Sequence, residues 1–241
     1  MLALVLGPVL IYSLTRDDGS SAQDVAAGSP PDLAGGQAPS EPPSDSAAER
    51  VEQRQLAVYF GDSYFVSDFN YTNKSNTMAR LSGLRLGYEK IRVRGAGGTG
   101  FAQANYDYDI PPYIQQIRAG ALEAPHPDLV VIEGGSNDVT QPKWKVKRNA
   151  GIVLQMAHSQ HPGAMLVLVG PLDPDNDYSD SEPINRALRK VAQVKGVPYI
   201  DDMRWLEGHH DLVGPDGVHP TAEGHRLLGR KLAKALAALG A

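Results

Sequence analysis

The sequence predicts an α/β protein in which one five-stranded parallel sheet lies between two layers of helices. Five short, mostly apolar segments are typical of strands buried on both faces. They alternate along the chain with amphipathic segments of helical spacing, which favours parallel strands joined by crossover helices. The chain has 241 residues, enough for one such domain beside a shorter N-terminal region.

Each element has its own local signal. The predicted strands are LAVYF (56–60), KIRVRGAG (90–97), PDLVVIEGG (127–135), AMLVLVGPL (164–172) and VPYID (197–201). The predicted helices are SNTMARLSGLRLGY (75–88), PPYIQQIRAGAL (111–122), KWKVKRNAGIVLQMAHSQH (143–161), PINRALRKVAQVKG (183–196) and TAEGHRLLGRKLAKALAAL (221–239). Ser75 is the expected N-cap of the first helix, and prolines open the second. Pro162-Gly163 and Gly196 are expected to end the third and fourth helices.

The N-terminal region reads as two parts that precede the domain. Residues 1–16 predict a signal peptide or a short membrane anchor, because residues 1–15 carry no charge. As a helix they would span about 22 Å, less than the ~30 Å hydrocarbon core, yet the basic start of a signal peptide is missing. Both alternatives stay open, and each predicts an extracellular or cell-envelope location.

Residues 17–51 predict a disordered acidic linker rich in Pro, Ala, Ser and Gly. Seven acids and no Lys or Arg lie between Asp17 and Glu49, with almost no large apolar residue. Such a segment buries too little surface to offset the entropy of ordering it. The folded domain is therefore expected to cover residues 52–241.

Composition excludes several classes of function. The net charge is −5, and subtracting the linker's −7 leaves a nearly balanced +2, so no nucleic-acid partner is expected. The absence of cysteine excludes disulfides and thiolate sites, and the histidines lack metal-binding spacing, so we expect no metal and no cofactor. Asp173, Asp175 and Asp177 alternate as in a calcium loop, but Ile184 replaces the required glutamate. We expect a solvated acidic loop there.

Three strand ends carry the residue types of an acyl-transfer site. They are GDSY (61–64), GGSND (134–138) and DGVHP (216–220), and ligands of such sheets bind at the carboxyl ends of strands. Each motif alone is typical of a turn. Together they supply a nucleophile in Ser63, a base in His219 and an orienting carboxylate in Asp216, three residues before the base.

The same segments offer donors for a developing oxyanion. Candidates are the Asn137 side chain, the Ser63 backbone N–H and a backbone N–H of RGAGGTGF (94–101), where glycines permit close approach. That stretch lacks the Gly-Lys-Ser/Thr ending of a phosphate-binding loop. Phe65 stands two residues after Ser63, where the nucleophile elbow of α/β-hydrolases has glycine.

GDSY, GAGGTG, GGSND and DGVHP resemble, in order, the four blocks of the GDSL/SGNH hydrolase family, and the resemblance extends roughly from 55 to 239. It implies a flavodoxin-like three-layer α/β/α fold and ester hydrolysis through a covalent acyl-enzyme. Ser63 would be the nucleophile and first oxyanion donor, Asn137 the third, His219 the base and Asp216 its partner. The second donor would be Gly98, with Gly97 as the alternative.

The resemblance also implies roles for the two residues that flank Ser63. Asp62 would be structural. Tyr64 departs from the family name, which has Leu there, and this departure affects the expected shape of the pocket rather than the chemistry.

The expected activity is therefore hydrolysis of a carboxylic ester, either an acyl or an acetyl ester of a lipid or a glycan. Alternatives are an O-acyltransferase that passes the acyl group to a sugar hydroxyl, and a non-catalytic glycan- or lipid-binding module. We expect a monomer, with the N-terminus as a candidate membrane tether. Eight aromatic residues near the motifs either close the core or form an acyl pocket or sugar-stacking platform: Tyr64, Phe65, Phe69, Tyr71, Phe101, Tyr106, Tyr108 and Tyr113.

Overall fold

The computed structural model describes residues 54–67, 72–175 and 177–241. The predicted signal or anchor and the linker lie outside these ranges, as do Phe69 and Tyr71, so the division of the chain into three parts stays a prediction. No helix in the described ranges is both long and apolar enough to cross a membrane.

The sheet has five strands, all parallel, in the order β2-β1-β3-β4-β5. The predicted fold class is therefore confirmed. The strands are β1 (Leu56–Gly61), β2 (Lys90–Gly95), β3 (Leu129–Glu133), β4 (Met165–Val169) and β5 (Tyr199–Ile200). The edge strand β5 is shorter than predicted, because Pro198 has no N–H to contribute to the ladder.

Six helices lie in the described ranges: α1 (Ser63–Val66), α2 (Met78–Arg85), α3 (Tyr113–Arg118), α4 (Lys143–Gln160), α5 (Ser181–Lys195) and α6 (Ala222–Ala238). The prediction of Ser75 as N-cap of the first long helix is wrong. Asn73 Oδ1 accepts the Ser75 backbone N–H at 3.0 Å in a turn, and the cap is Thr77, whose Oγ1 accepts from Arg80 N at 3.4 Å. The short helix α1 has no counterpart in the sequence prediction.

The alternation of side chains along β1 divides the core into two layers. Val58 and Phe60 pack on the face covered by α3, α4 and α5. Ala57 and Tyr59 pack on the opposite face, covered by α1, α2 and α6. Because both faces are covered, the strands are apolar at successive positions, as expected for a parallel sheet.

The order of the strands determines where the site lies. The chain passes from β1 to β2 on one side and then returns to β3 on the other side of β1. The connections therefore diverge above β1 and β3, and this divergence opens a crevice at their carboxyl ends. Ser63 lies two positions after the end of β1, and Asn137 lies four positions after the end of β3.

Candidate active site

Ser63 is the first residue of α1, two positions after the end of β1. Asp62 caps this helix, because its Oδ1 accepts the backbone N–H of Tyr64 at 3.0 Å. Gly61 lies against Glu133, and a Cβ at position 61 would stand 2.5 Å from Glu133 Oε2. Strand β1, Gly61 and the Asp62 cap together place the half-buried Ser63 at the carboxyl end of the sheet.

His219 connects Ser63 to Asp216. Its Nε2 lies 3.0 Å from Ser63 Oγ, and its Nδ1 lies 2.7 Å from Asp216 Oδ2. A carboxylate can only accept a hydrogen bond, so the neutral His219 ring carries its proton on Nδ1 and donates it to Asp216. The unprotonated Nε2 can then accept a hydrogen bond from the Ser63 hydroxyl. The structure thus brings the three residues singled out in the sequence into one hydrogen-bonded chain.

The loop of Asp216 holds the carboxylate in its ionised form. Asp216 Oδ1 accepts the backbone N–H groups of Val218 and His219, each at 2.9 Å. Desolvation opposes ionisation, but these bonds and the bond from the His219 ring outweigh it and lower the pKa of Asp216 below its usual value. The carboxylate can therefore orient the ring and stabilise an imidazolium.

Asn137 lies in the short 3₁₀ turn Ser136–Asp138 after β3. Its Nδ2 donates to Asp62 Oδ2 at 2.9 Å and to the carbonyl oxygen of Thr99 at 3.0 Å. The side-chain amide therefore lies between the nucleophile turn and the glycine-rich block. An oxyanion would have to share or replace one of these two bonds to accept a hydrogen bond from Asn137.

Of the two candidate glycines, Gly98 lines the same cavity as Ser63 and His219. It has φ +70°, and a Cβ there would stand 2.8 Å from Asn105 Nδ2. A Cβ at Gly97 would instead stand 3.4 Å from the Cβ of Ser63. Both glycines are close to the site, and the choice of Gly98 as the second donor stays a prediction.

Sequence reasoning missed the role of Asp138, which fixes the glycine-rich block. This buried carboxylate accepts three backbone N–H groups, from Phe101 at 2.9 Å, Ala102 at 2.8 Å and Gln103 at 2.9 Å. Burial raises the pKa of Asp138 although the three bonds oppose the rise. The signal available in the sequence was its position directly after Asn137.

Sequence reasoning also missed Glu133, the buried last residue of β3. Its Oε2 accepts the Asp62 backbone N–H at 3.2 Å. Burial, with the nearby charges of Asp62 and Asp202, raises the pKa of Glu133 well above its usual value. Burial likewise raises the pKa of Asp62 to about 6. Asp62 thus makes hydrogen bonds through its backbone N–H and through both carboxylate oxygens, which agrees with the structural role expected for it.

A cavity of about 370 Å³ opens above Ser63, Asn137 and His219. One wall carries four carboxylates, from Asp173, Asp175, Asp177 and Asp180. The expectation that the 173–177 segment is wholly solvated is wrong for Asp173, which is 6% exposed. The Asp173 backbone N–H donates to the carbonyl oxygen of Met203 at 3.1 Å, and burial raises the pKa of the Asp173 carboxyl to about 6.

The aromatic residues separate into two groups. Tyr64, Phe65, Phe101 and Tyr113 are buried, which matches the core interpretation. Tyr64 also connects two parts of the site, since its hydroxyl donates to the Val218 carbonyl oxygen at 3.3 Å. Tyr106 and Tyr108 are exposed.

Within the part of the chain that the structure describes, no group of three or more His, Asp or Glu side chains is arranged to hold a metal ion.

The model of the GDSL-like lipase/acylhydrolase family matches residues 59–227, which is more than half of the chain. The chain belongs to this family. The predicted resemblance is thereby confirmed. The matched region begins in β1 and ends in α6, so it includes GDSY and GGSND after β1 and β3 and DGVHP in the loop before α6.

Two known proteins are similar to the chain in sequence or in structure. The chain is 26% identical over 186 residues to the GDSL lipase Rv0518 of Mycobacterium tuberculosis, covering 72% of this chain and 78% of the relative. It is 26% identical to a carbohydrate esterase family 2 enzyme with a carbohydrate-binding domain from Corynascus thermopiles (Myceliophthora fergusii), covering 78% of this chain and 67% of that one, with a TM-score of 0.61.

A second solved structure supports the fold alone. Est24, a carbohydrate acetylesterase from Sinorhizobium meliloti, is 19% identical, with a TM-score of 0.58 over 77% of this chain and 99% of that one.

Proposed function

We propose that this protein hydrolyses carboxylic esters, acyl or acetyl esters of a lipid or a glycan, through a covalent acyl-enzyme on Ser63. The observation that carries the proposal is the chain from Ser63 Oγ to His219 Nε2 at 3.0 Å and from His219 Nδ1 to Asp216 Oδ2 at 2.7 Å. A nucleophile, a base and an orienting carboxylate in this geometry at the floor of a cavity suit acyl transfer.

In the first half-reaction, Ser63 Oγ attacks the ester carbonyl carbon while His219 Nε2 takes the hydroxyl proton. The resulting oxyanion receives hydrogen bonds from Asn137, the Ser63 backbone N–H and Gly98. The tetrahedral intermediate then breaks its bond to the alcohol oxygen, and the imidazolium of His219 returns the proton to that leaving group. Asp216 keeps the ring oriented and stabilises its charge.

In the second half-reaction, His219 takes a proton from water, which attacks the acyl-enzyme. Collapse of the second intermediate releases the carboxylic acid and restores the Ser63 hydroxyl. An O-acyltransferase would use the same groups and replace the water with a sugar hydroxyl. A binding module without catalysis would require none of the three aligned groups, so the alignment favours an enzyme.

The proposal is tested with p-nitrophenyl esters of short and long acyl chains, comparing the full chain with Ser63→Ala and with Ser159→Ala as a control. Ser159 is an exposed serine on α4. We expect loss of at least about 10³-fold in kcat/KM for Ser63→Ala and no change for Ser159→Ala. Equal rates in all three proteins would overturn the assignment of Ser63.

The extracellular or cell-envelope location and the N-terminal tether rest on residues outside the described ranges. They stay proposals, as does the monomeric state.

A further inference from the structure

Tyr106 and Tyr108 are the two most exposed large apolar side chains of the described residues, at 82% and 77%. They lie in a single 3₁₀ turn, Tyr106–Tyr108, in the connection between β2 and α3. Neither ring contributes to the core, so packing gives no reason for two aromatic residues at these positions.

The segment that carries them is held at both ends. Asn105 and Ile110 exchange two backbone hydrogen bonds of 2.9 Å each. The Asn105 side chain also donates to the Gly97 carbonyl oxygen at 3.0 Å, which connects the segment to the glycine-rich block beside Ser63. The two rings therefore lie on a loop that is closed by hydrogen bonds. Binding of a ligand to them would cost little backbone conformational entropy.

Depressions on the surface lead from the catalytic cavity to Tyr106, and Tyr108 lies two positions further along the same turn. A second cavity of about 290 Å³ shares Gly98 with the catalytic cavity and is also lined by Asn105, Tyr106 and Asp107. A third, of about 430 Å³, shares Asn105 and Tyr106 with the second and extends to Lys145. A ligand seated at Ser63 could therefore extend over Tyr106 without leaving a concave surface.

The chemistry along this path suits a sugar chain better than an acyl chain. Exposed aromatic faces carry a negative potential that attracts the polarised C–H groups of a pyranose ring. Side chains of Gln103, Asn105 and Asp107 beside them supply partners for hydroxyl groups. The carboxylates of Asp173 and Asp175 in the catalytic cavity would repel an anionic lipid and can accept sugar hydroxyls.

From these observations we infer that Tyr106 and Tyr108 form a stacking surface for an extended, uncharged oligosaccharide whose ester group reaches Ser63. The inference rests on the proposed ester hydrolysis and specifies its substrate class. The glycan binds beyond the catalytic cavity, so the loop contributes to recognition of polymeric substrates and takes no part in the chemical step.

The test compares p-nitrophenyl acetate and p-nitrophenyl palmitate with O-acetylated hexasaccharides of β-1,4-linked glucose, xylose and N-acetylglucosamine. The variants are Tyr106→Ala, Tyr108→Ala and the double variant, with Tyr106→Phe as the variant that keeps the ring. Trp144→Ala is the matched control, because Trp144 is 67% exposed and lines a separate cavity between α4 and α5.

The double variant should lose about tenfold or more in kcat/KM on at least one hexasaccharide, mainly through KM, and less than about twofold on p-nitrophenyl acetate. Tyr106→Phe and Trp144→Ala should behave as wild type. Equal losses on both kinds of substrate, or no loss on any hexasaccharide, would overturn the inference. So would a loss confined to p-nitrophenyl palmitate, since the surface would then bind acyl chains.

A binding measurement separates this inference from the proposed function. Titration calorimetry of the hexasaccharides is carried out on Ser63→Ala, with and without Tyr106→Ala and Tyr108→Ala, so that turnover plays no part. Binding weakened about tenfold by the tyrosine changes supports the inference even if wild type hydrolyses no ester. Absence of hexasaccharide binding overturns it even if p-nitrophenyl acetate is hydrolysed.

Discussion

The carboxylate of Asp62 accepts a hydrogen bond from the side-chain amide of Asn137 at 2.9 Å. This contact joins the residue before the nucleophile to the third predicted oxyanion donor, although 75 positions separate them in the chain. The same Asp62 caps α1 through its other oxygen. One buried carboxylate thus positions both the turn that carries Ser63 and the side-chain amide of Asn137.

Asn137→Ala should lower kcat for p-nitrophenyl acetate about 10²- to 10³-fold with little change in KM, because the lost donor acts on charge that develops in the transition state. Steady-state kinetics with the exposed Asn73→Ala as control measure this effect. Asp62→Asn should also lower kcat, and its effect should largely disappear in the Asn137→Ala background if Asp62 acts through Asn137. Full additivity of the two losses would contradict that connection.

Asp216→Asn should lower kcat by on the order of 10³-fold, since an amide neither fixes the Nδ1 proton nor stabilises the imidazolium. The fold should tolerate the change, because the Asp216 side chain is about one-third exposed at 34%. Steady-state kinetics measure the loss of activity, and thermal unfolding shows whether the variant has also lost stability. A variant with wild-type kcat would show that His219 needs no orienting carboxylate.

Asp138→Ala should destabilise the fold by at least about 3 kcal/mol, because it leaves two buried backbone N–H groups and one half-buried one without their shared acceptor. The free energy of unfolding in urea measures the loss, with the exposed Asp107→Ala as the control. A change below about 1 kcal/mol would mean that the block from Phe101 to Gln103 finds other partners.

Glu133→Gln should flatten the dependence of stability on pH. The pKa of Glu133 is raised in the folded protein, so the native state binds its proton more tightly than the unfolded chain does. That contribution is full below the unfolded pKa and is lost as pH rises toward the folded pKa, by up to about 1.4 kcal/mol per pH unit.

Asp62 titrates nearby with a pKa of about 6 and remains in the Glu133→Gln variant. The relevant quantity is therefore the difference between variant and wild type, measured by urea unfolding from pH 5 to pH 9. The stability of the variant relative to wild type should increase with pH. A constant difference across this range would show that Glu133 is ionised in both states.

Much of the fold was predictable because four of the five strands are short, mostly apolar runs, while the edge strand β2 alternates Ile91 and Val93 with charged residues. The motifs GDSY, GGSND and DGVHP also indicated which side chains meet, since parallel strands end at one edge. The proximity of Ser63, His219 and Asp216 follows from that topology. Their catalytic roles stay predictions that kinetics must test.

The features that the sequence did not predict depend on contacts between distant segments. Nothing local to Asp138 indicates that it reaches the N–H of Phe101, 37 positions away. The burial of Asp173 depends on how the chain leaves β4, and the cap at Thr77 depends on a competing turn at Asn73. Local patterns identify elements and motifs, whereas the packing of loops determines which polar groups become buried.

The central claim is that Ser63, activated by His219, becomes the covalent acyl carrier. Its most direct test is reaction of the full chain with a p-nitrophenyl alkylphosphonate, followed by intact mass measurement and peptide mapping. We expect one phosphonyl group per chain on Ser63 in the wild type and none in Ser63→Ala. Labelling of His219→Ala should be slower by at least about 10²-fold. Equal labelling of wild type and Ser63→Ala, or a modification mapped to another residue, would contradict it.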